Sequence, residues 1–377
     1  VLIAFQPAEE IGAGGVTGDS GGKKPEETKS ASFRSCTAKG KKTARKSTGA
    51  SAATEQESEK NKQREVKEMS TNFDSMLNVS AVPQDDRTAA FIAESKNNRN
   101  RCYELSEQIT AAVATDSQMF QKYLDVQSRF DRYTASNSLL ILAQRPEAQK
   151  LGDYSYWRSQ GTFVKRQERD NPVLILEPGK EYEREDGSIG TYYNAKKLYE
   201  PSQTSLRNYT QDKPQVTEQQ LIRALLSNPP VNIVPAEPDQ MPEGKGALFA
   251  PDEKCIYVRK GMDAQSIFLS LSPELALAGF ADGNKMYDRD AEAFHAYCAS
   301  YMLCKKYGID TQYFDFSHAP EFFENMESQE VRAELAKAQE SFKHINARME
   351  KSLQQERNQT ERQQPHMGSH SQREDAR

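Results

Sequence analysis

A change in apolar spacing near residue 160 most strongly constrains the fold of this chain. Between Cys102 and Phe130, apolar residues recur every three or four positions, which is the spacing of amphipathic helices. Beyond Gly161 the apolar runs are short, rich in β-branched and aromatic residues, and bounded by turn residues such as Asp186 and Gly187. Helices followed by a small antiparallel sheet predict the α+β fold class.

Residues 98–210 are expected to form the first ordered domain, with three helices and four short strands. Two helices cover the apolar repeats up to Phe130. A third covers Ala135–Gln144 and stops there because the residue before Pro146 is pushed out of helical geometry. The apolar runs place the strands at 162–165, 172–177, 189–193 and 196–199.

A second α+β domain is predicted over residues 217–320. Thr217 and Gln220 have the spacing of a capping box for a helix at 218–226. Strands are expected at 231–234, 247–250 and 254–258, followed by two longer helices at 263–280 and 288–307.

A long helix is predicted at 323–360. Its apolar residues alternate steps of three and four and form one narrow seam: Val331, Leu335, Ala338, Phe342, Ile345, Met349 and Leu353. Such a seam packs either on the body of the same chain or on a second copy, as a homodimer. The sequence leaves both alternatives open.

Neither end of the chain is expected to join these domains. Residues 18–68 contain almost no large apolar side chains, so burial cannot offset the loss of chain entropy on folding. We interpret residues 1–97 as disordered or as a gene-prediction artefact, with Met69 as an alternative start. Six basic residues between Arg34 and Lys46 offer phosphate contacts, although a solvated tail is the favoured interpretation. Residues 361–377 are expected to be a disordered tail.

Cysteine usage and hydropathy indicate an intracellular protein that does not enter membranes. The five cysteines are scattered and form no C-x-x-C pair, which suits reduced thiols. No apolar stretch reaches the roughly 18 residues needed to cross a bilayer. The net charge of -5 gives no general attraction to nucleic acid, so any DNA binding must come from a local patch.

The segment from Phe130 to Pro178 carries several motifs in a fixed order. They are Tyr133 with Asn137, the run Leu140, Ile141, Gln144 and Pro146, the pair Trp157 and Gly161, and then Val164, Lys165 and Arg166. These motifs resemble the N-terminal single-stranded-DNA-binding domain of ArdC-type antirestriction proteins, and LYEPSQT at 198–204 resembles the end of that domain. Gln167 departs from the family pattern, which has glycine in this turn.

The resemblance implies non-specific binding of single-stranded DNA by an accessory protein of a bacterial mobile element, hence a cytoplasmic location. Such binding needs cations to contact phosphates and aromatic faces on which bases stack. Residues 99–205 carry 15 basic and 15 acidic side chains, so the hypothesis rests on the resemblance rather than on charge. The candidate phosphate contacts are Arg132, Lys165, Arg166, Lys196 and Lys197.

The candidate stacking residues are Tyr133, Tyr156 and Trp157. Core packing is the competing interpretation for each, and it is favoured for Trp157, the only tryptophan. Asn137 and Gln144 lie two helical turns apart and share a helix face, where they either cap neighbouring backbone or contact a base.

Residues 248–280 resemble the zincin-like metallopeptidase domain of the same family, whose helix carries H-E-x-x-H. Pro273 and Leu277 stand at the two histidine positions here, and only Glu274 matches the catalytic glutamate. Neither proline nor leucine has a lone pair for a metal. We therefore predict a peptidase-like domain without enzymatic activity, metal or cofactor, in which Glu274 is vestigial and lies on the helix surface.

Two alternatives remain at this point. A remodelled metal site made from His295, Cys298, Cys304 and His318 would make the protein a metallopeptidase. Otherwise the chain is an interaction scaffold, which binds an unidentified protein partner or a second copy through the seam at 331–353.

Overall fold

Four helices begin the described part of the chain, and three of them start at side-chain caps. The computed structural model describes residues 86–184, 187–206, 209 and 216–363. The helices are α1 (Asp86–Thr115), α2 (Ser117–Arg129), α3 (Ala135–Gln144) and α4 (Tyr154–Ser159). Asp116, Thr134 and Asp153 cap α2, α3 and α4 by accepting backbone N–H groups of the first turn. Helix α1 begins at Asp86 rather than near residue 98, and the expectations for residues 1–85 lie outside the described residues.

One long β-hairpin takes the place of the four short strands predicted for the first domain. Strand β1 (Val173–Glu183) pairs antiparallel with β2 (Ile189–Leu198), with a bulge between Pro178 and Glu181. The strand predicted at 162–165 was wrong, because this segment makes only an isolated bridge between Val164 and Thr204. Gly161, in left-handed backbone geometry, precedes this segment and a 3-10 turn at Arg166–Glu168 follows it, so too few residues remain to pair as a β-strand.

The second half begins with α5 (Glu218–Leu225), and the predicted capping box of Thr217 and Gln220 is confirmed at its start. Strands β3 (Asn232–Ala236), β4 (Ala247–Ala250) and β5 (Cys255–Arg259) form a sheet in the order β3, β5, β4. Strand β3 runs parallel to β5, and β4 runs antiparallel to it. The remaining helices are α6 (Ala264–Ala281), α7 (Arg289–Tyr307), α8 (Ala319–Phe322) and α9 (Ser328–Gln363), and α6 continues through Pro273.

A single buried cluster contains side chains from both predicted domains. At its centre the Phe120 ring of α2 lies 5.6 Å from Phe294 of α7, 5.4 Å from Phe316 and 5.6 Å from Phe323, measured between ring centroids. Helices and two small sheets together confirm the α+β fold class. The predicted domain boundary falls on residues 211–216, and of these 211–215 lie outside the described residues.

The apolar seam of α9 packs on the body of its own chain. All seven seam residues are buried in the shared core, and α9 contacts α3, α5, α6 and α7. Polar contacts fix the same packing: Asp131 accepts from Lys306 and from Asn346, both at 2.8 Å. Of the two alternatives left open by the sequence, packing on the body of the same chain is the one that the structure shows.

No helix among the described residues combines the length and the apolar composition that crossing a bilayer requires.

Candidate nucleic-acid interface

The buried side chain of Gln203 forms hydrogen bonds that hold the turn from Lys165 to Asn171. The Gln203 Nε2 donates to Asn171 O at 2.7 Å and to a Glu168 carboxylate oxygen at 3.2 Å. The Lys165 backbone N–H donates to Gln203 O at 2.9 Å. These bonds fix the backbone of the turn and account for the SQT motif physically, since its glutamine is 2% exposed.

Exposed cations and exposed aromatic rings lie together at this turn. We call Tyr154, Phe163, Lys165, Arg166 and Arg169 the basic–aromatic surface. Phe163 is 56% exposed and Tyr154 is 40% exposed. The Arg169 guanidinium lies 5.8 Å from the centre of the Tyr154 ring and donates to its hydroxyl at 3.2 Å.

The two predicted cations of this surface are exposed, as binding requires. Lys165 Nζ donates to Ser202 O at 2.8 Å, a bond at the surface, and Arg166 has no side-chain partner among the described residues. Sequence reasoning missed Tyr154, Phe163 and Arg169. The sequence does place aromatic residues beside a basic turn, which could have indicated them. Sequence position alone, however, does not show which rings are exposed and which are buried.

The predicted stacking residues are packed rather than presented to solvent. Trp157 is 2% exposed, and its indole N–H donates to Tyr199 O at 2.9 Å, so its role as a platform was wrong and the competing core interpretation holds. The half-buried Tyr156 covers Gly152, where a Cβ would overlap the ring. Tyr133 is half-buried against Phe130, with ring centroids 5.9 Å apart, and burial raises its pKa.

Asn137 and Gln144 cap the open edge of β1. Asn137 accepts from Leu176 N and donates to Leu176 O, both at 2.9 Å. Gln144 does the same for Leu174, at 2.9 and 2.8 Å. Each side-chain amide thus imitates a neighbouring strand, which satisfies backbone groups that an edge strand leaves unpaired. Of the two alternatives, backbone capping is the one that the structure supports.

We expect Asn137→Ala or Gln144→Ala to lower the free energy of unfolding by about 1–3 kcal/mol, because each leaves a partly buried N–H and C=O of β1 unpaired. Chemical denaturation measures this loss. Gln149→Ala is the control, since Gln149 is exposed and its side chain bonds only to the nearby Glu147 O. Variants as stable as Gln149→Ala would contradict the edge-capping role of the two amides.

The cations on β2 are engaged by carboxylates. Lys196 Nζ lies 2.7 Å from a Glu177 oxygen and 3.2 Å from an Asp153 oxygen, and the hydrogen bond to Glu177 raises its pKa. Lys197 pairs with Glu94 on α1. Arg132 is exposed and has no partner among the described residues. Of the five predicted phosphate contacts, Arg132 and Arg166 have no side-chain partner among the described residues, and Lys165 bonds only to the Ser202 carbonyl at the surface, so none of these three is held by a carboxylate.

Glu274 lies in the core and not on the helix surface, so that expectation was wrong. It is 5% exposed. One carboxylate oxygen accepts from the Phe249 backbone N–H of β4 at 2.7 Å, and the other contacts Arg289 at the start of α7. Arg289 also donates to Phe249 O at 3.5 Å. The carboxylate ties a sheet edge to two helices, which explains why it is buried.

The four candidate ligands of a remodelled metal site do not form one cluster. His295 Nε2 lies 2.7 Å from Glu334, while its Nδ1 lies 2.9 Å from Glu292 without hydrogen-bond geometry, so the carboxylates occupy opposite sides of the ring. Burial raises the pKa of Cys298 and raises that of Cys304 to about 12. The exposed His318 pairs with Glu321. Within 86–184, 187–206, 209 and 216–363, no three His, Cys, Asp or Glu side chains are arranged to hold a metal ion.

Together these elements define an α+β protein with a basic turn beside exposed aromatic rings, and with two helices, α6 and α7, joined by the Glu274–Arg289 ion pair next to its second sheet. Two solved structures are similar to the chain, both of the antirestriction ArdC protein from plasmid R388. The metal-free crystal structure has a TM-score of 0.38 and 15% identity and covers 59% of this chain and 86% of that one. The Mn(II)-bound structure has a TM-score of 0.43 and 14% identity, with 66% and 98% covered. No family model matches the chain, and no curated protein matches it.

Proposed function

We propose that this chain binds single-stranded DNA without sequence preference through the basic–aromatic surface. The observation that carries the proposal is that three exposed cations on one anchored turn lie beside two exposed aromatic rings, Phe163 and Tyr154. Phosphates need cations, and unpaired bases need exposed ring faces, each stacked base contributing about 1–3 kcal/mol. Arg169 over Tyr154 already forms the kind of cation and ring pair that such surfaces use.

The charge of this turn favours an anion locally, although the whole chain is acidic. Lys165, Arg166 and Arg169 contribute three positive charges. Glu168 and Asp170 contribute two negative ones, and the Glu168 carboxylate accepts from Gln203 beneath the turn. The three cations are therefore exposed to solvent, while one of the two acids, Glu168, is hydrogen-bonded to Gln203. Non-specific strand binding requires only this kind of local patch.

The aromatic rings distinguish a single strand from a duplex. In a duplex the faces of the bases are stacked inside the helix, and a protein contacts only phosphates and base edges. Phe163 is 56% exposed and Tyr154 is 40% exposed, so each leaves ring surface on which an unpaired base can stack. We therefore propose a preference for single strands, and we place the protein in the bacterial cytoplasm in an antirestriction-like role for a mobile element, as the sequence motifs imply.

For residues 217–320 we propose a scaffold rather than a peptidase. Both oxygens of Glu274 are engaged by Phe249 and Arg289 and the residue is 5% exposed, so a water molecule has little access to the carboxylate. Pro273 and Leu277 offer no ligand at the positions where a zincin-like helix would hold zinc. These contacts support a role for Glu274 in holding the fold together.

Fluorescence anisotropy of the full chain with a labelled oligonucleotide tests the binding proposal. We expect binding to a mixed-sequence single strand, competition by unlabelled single strands of any sequence, and at least tenfold weaker competition by duplex, on the scale of one lost stacked base. Equal competition by duplex would contradict the role of the aromatic rings. Zinc near one equivalent in the purified protein would instead support the metallopeptidase alternative.

A further inference from the structure

A small open concavity adjoins the basic turn and is lined by two arginines. Arg101 of α1 and Arg145 at the end of α3 line it together with Asn171, the last residue of the turn. Its volume is about 200 Å³, and Leu105, Ala143, Gln144, Pro172 and Val173 complete its lining. None of the described residues that line it is acidic.

The polar groups of this pocket are still available for a ligand. Neither Arg101 nor Arg145 has a side-chain hydrogen bond or ion pair among the described residues. The backbone of Asn171 is engaged, because its carbonyl accepts from Gln203 and its N–H donates to Glu168 O, but its side-chain amide has no partner there. Gln144 is not available, since its amide caps β1.

Two guanidinium groups without a carboxylate favour an oxyanion that accepts several hydrogen bonds at once. A guanidinium presents its N–H groups as a planar fork, which matches the oxygens of a phosphate. Part of the Arg145 charge complements the negative end of α3, which is equivalent to about half an elementary charge. The two guanidinium groups together carry two positive charges, which is more than the partial negative charge at the end of α3, so a net positive charge remains to attract a ligand.

We propose that Arg101 and Arg145 bind a phosphate group, with the Asn171 amide as a third donor. The phosphate belongs to a single strand that continues past the basic–aromatic surface at Asn171. This source of the phosphate rests on the proposed function. The pocket then fixes one phosphate, while the exposed turn contacts its neighbours without choosing a sequence.

The test uses the full chain with Arg101→Gln and Arg145→Gln combined. The matched control combines Arg223→Gln with Arg357→Gln, which removes the same charge from exposed arginines outside this pocket. We expect the pocket variant to bind a single-stranded oligonucleotide about tenfold more weakly, with a salt slope lower by about 0.7, the value for one phosphate on a single strand. The control should retain wild-type affinity and slope.

A second arm uses inorganic phosphate as the probe and needs no DNA binding. Phosphate should raise the thermal midpoint of wild type and control above that in chloride of equal ionic strength, and this excess should disappear in the pocket variant. An equal excess in all three proteins overturns the pocket. Phosphate stabilisation through the arginines without any oligonucleotide binding would retain the site and refute the proposed function. An unchanged oligonucleotide affinity in the pocket variant would overturn the strand as the source of the phosphate.

Discussion

Replacing Lys165, Arg166 and Arg169 together by alanine should weaken single-strand binding at least about tenfold and flatten its salt dependence. Each neutralised phosphate on a single strand contributes about 0.7 to the slope of the logarithm of affinity against that of salt concentration, so losing three contacts lowers the slope by about 2. Anisotropy titrations at several salt concentrations measure both quantities. The turn should keep its fold, because Gln203 bonds to backbone and to Glu168.

The control for this variant combines Arg223→Ala, Lys351→Ala and Arg357→Ala. These residues are exposed on α5 and α9, and the substitutions remove the same net charge. If the control loses as much affinity as the turn variant, binding reflects the overall charge of the molecule and the basic–aromatic surface is not the site. Phe163→Ala adds a charge-neutral test: affinity should fall by about 1–3 kcal/mol while the slope stays unchanged.

Glu274→Ala should lower the free energy of unfolding by about 2–3 kcal/mol. It leaves the Phe249 N–H without an acceptor and Arg289 without its anion. Breaking a fully buried ion pair costs about 3–5 kcal/mol, but a third of the Arg289 side chain is exposed, so water recovers part of that loss. Urea unfolding followed by circular dichroism measures the effect.

Two comparisons make this result specific to Glu274. Glu340→Ala removes an exposed carboxylate on α9 and should change stability by less than about 0.5 kcal/mol. Glu274→Gln should lie between wild type and the alanine variant, because an amide oxygen still accepts from Phe249. Stability unchanged in Glu274→Ala would contradict the structural role and reopen a catalytic one. Oligonucleotide affinity should be the same in all three variants.

Local backbone chemistry was the most predictable part of this fold. The start of α5 was evident because Thr217 and Gln220 satisfy each other's backbone N–H groups, a need that any helix end has. The end of α3 at Gln144 was evident because Pro146 restricts the residue before it. The α+β class followed from the change in apolar spacing, which depends on the geometry of helices and strands alone.

Features that depend on distant partners could not be predicted in the same way. The edge-capping role of Asn137 was one of two alternatives, because its partner Leu176 is 39 residues away. Burial of Glu274 depends on β4 and on Arg289, which a helical position alone does not reveal. The length of the β1–β2 hairpin was missed because its outer half is exposed and lacks the alternation of a half-buried strand.

The candidate site was partly predictable. Lys165 and Arg166 were identified from the motif and are exposed, whereas Trp157 from the same motif is buried. A sequence shows that a ring is near a basic turn, but exposure depends on which neighbours cover it. Trp157 is covered by Tyr199 and Val164, while Phe163 lies at the surface.

The most direct test of the central claim is the affinity of the full chain for a mixed-sequence single-stranded oligonucleotide, measured by anisotropy from low to physiological salt. Three cations on the basic–aromatic surface and one phosphate in the Arg101 and Arg145 pocket predict a slope near -3, from about 0.7 for each of four phosphates. No binding at low salt, or binding that salt does not weaken, would contradict the proposal that this chain binds single-stranded DNA.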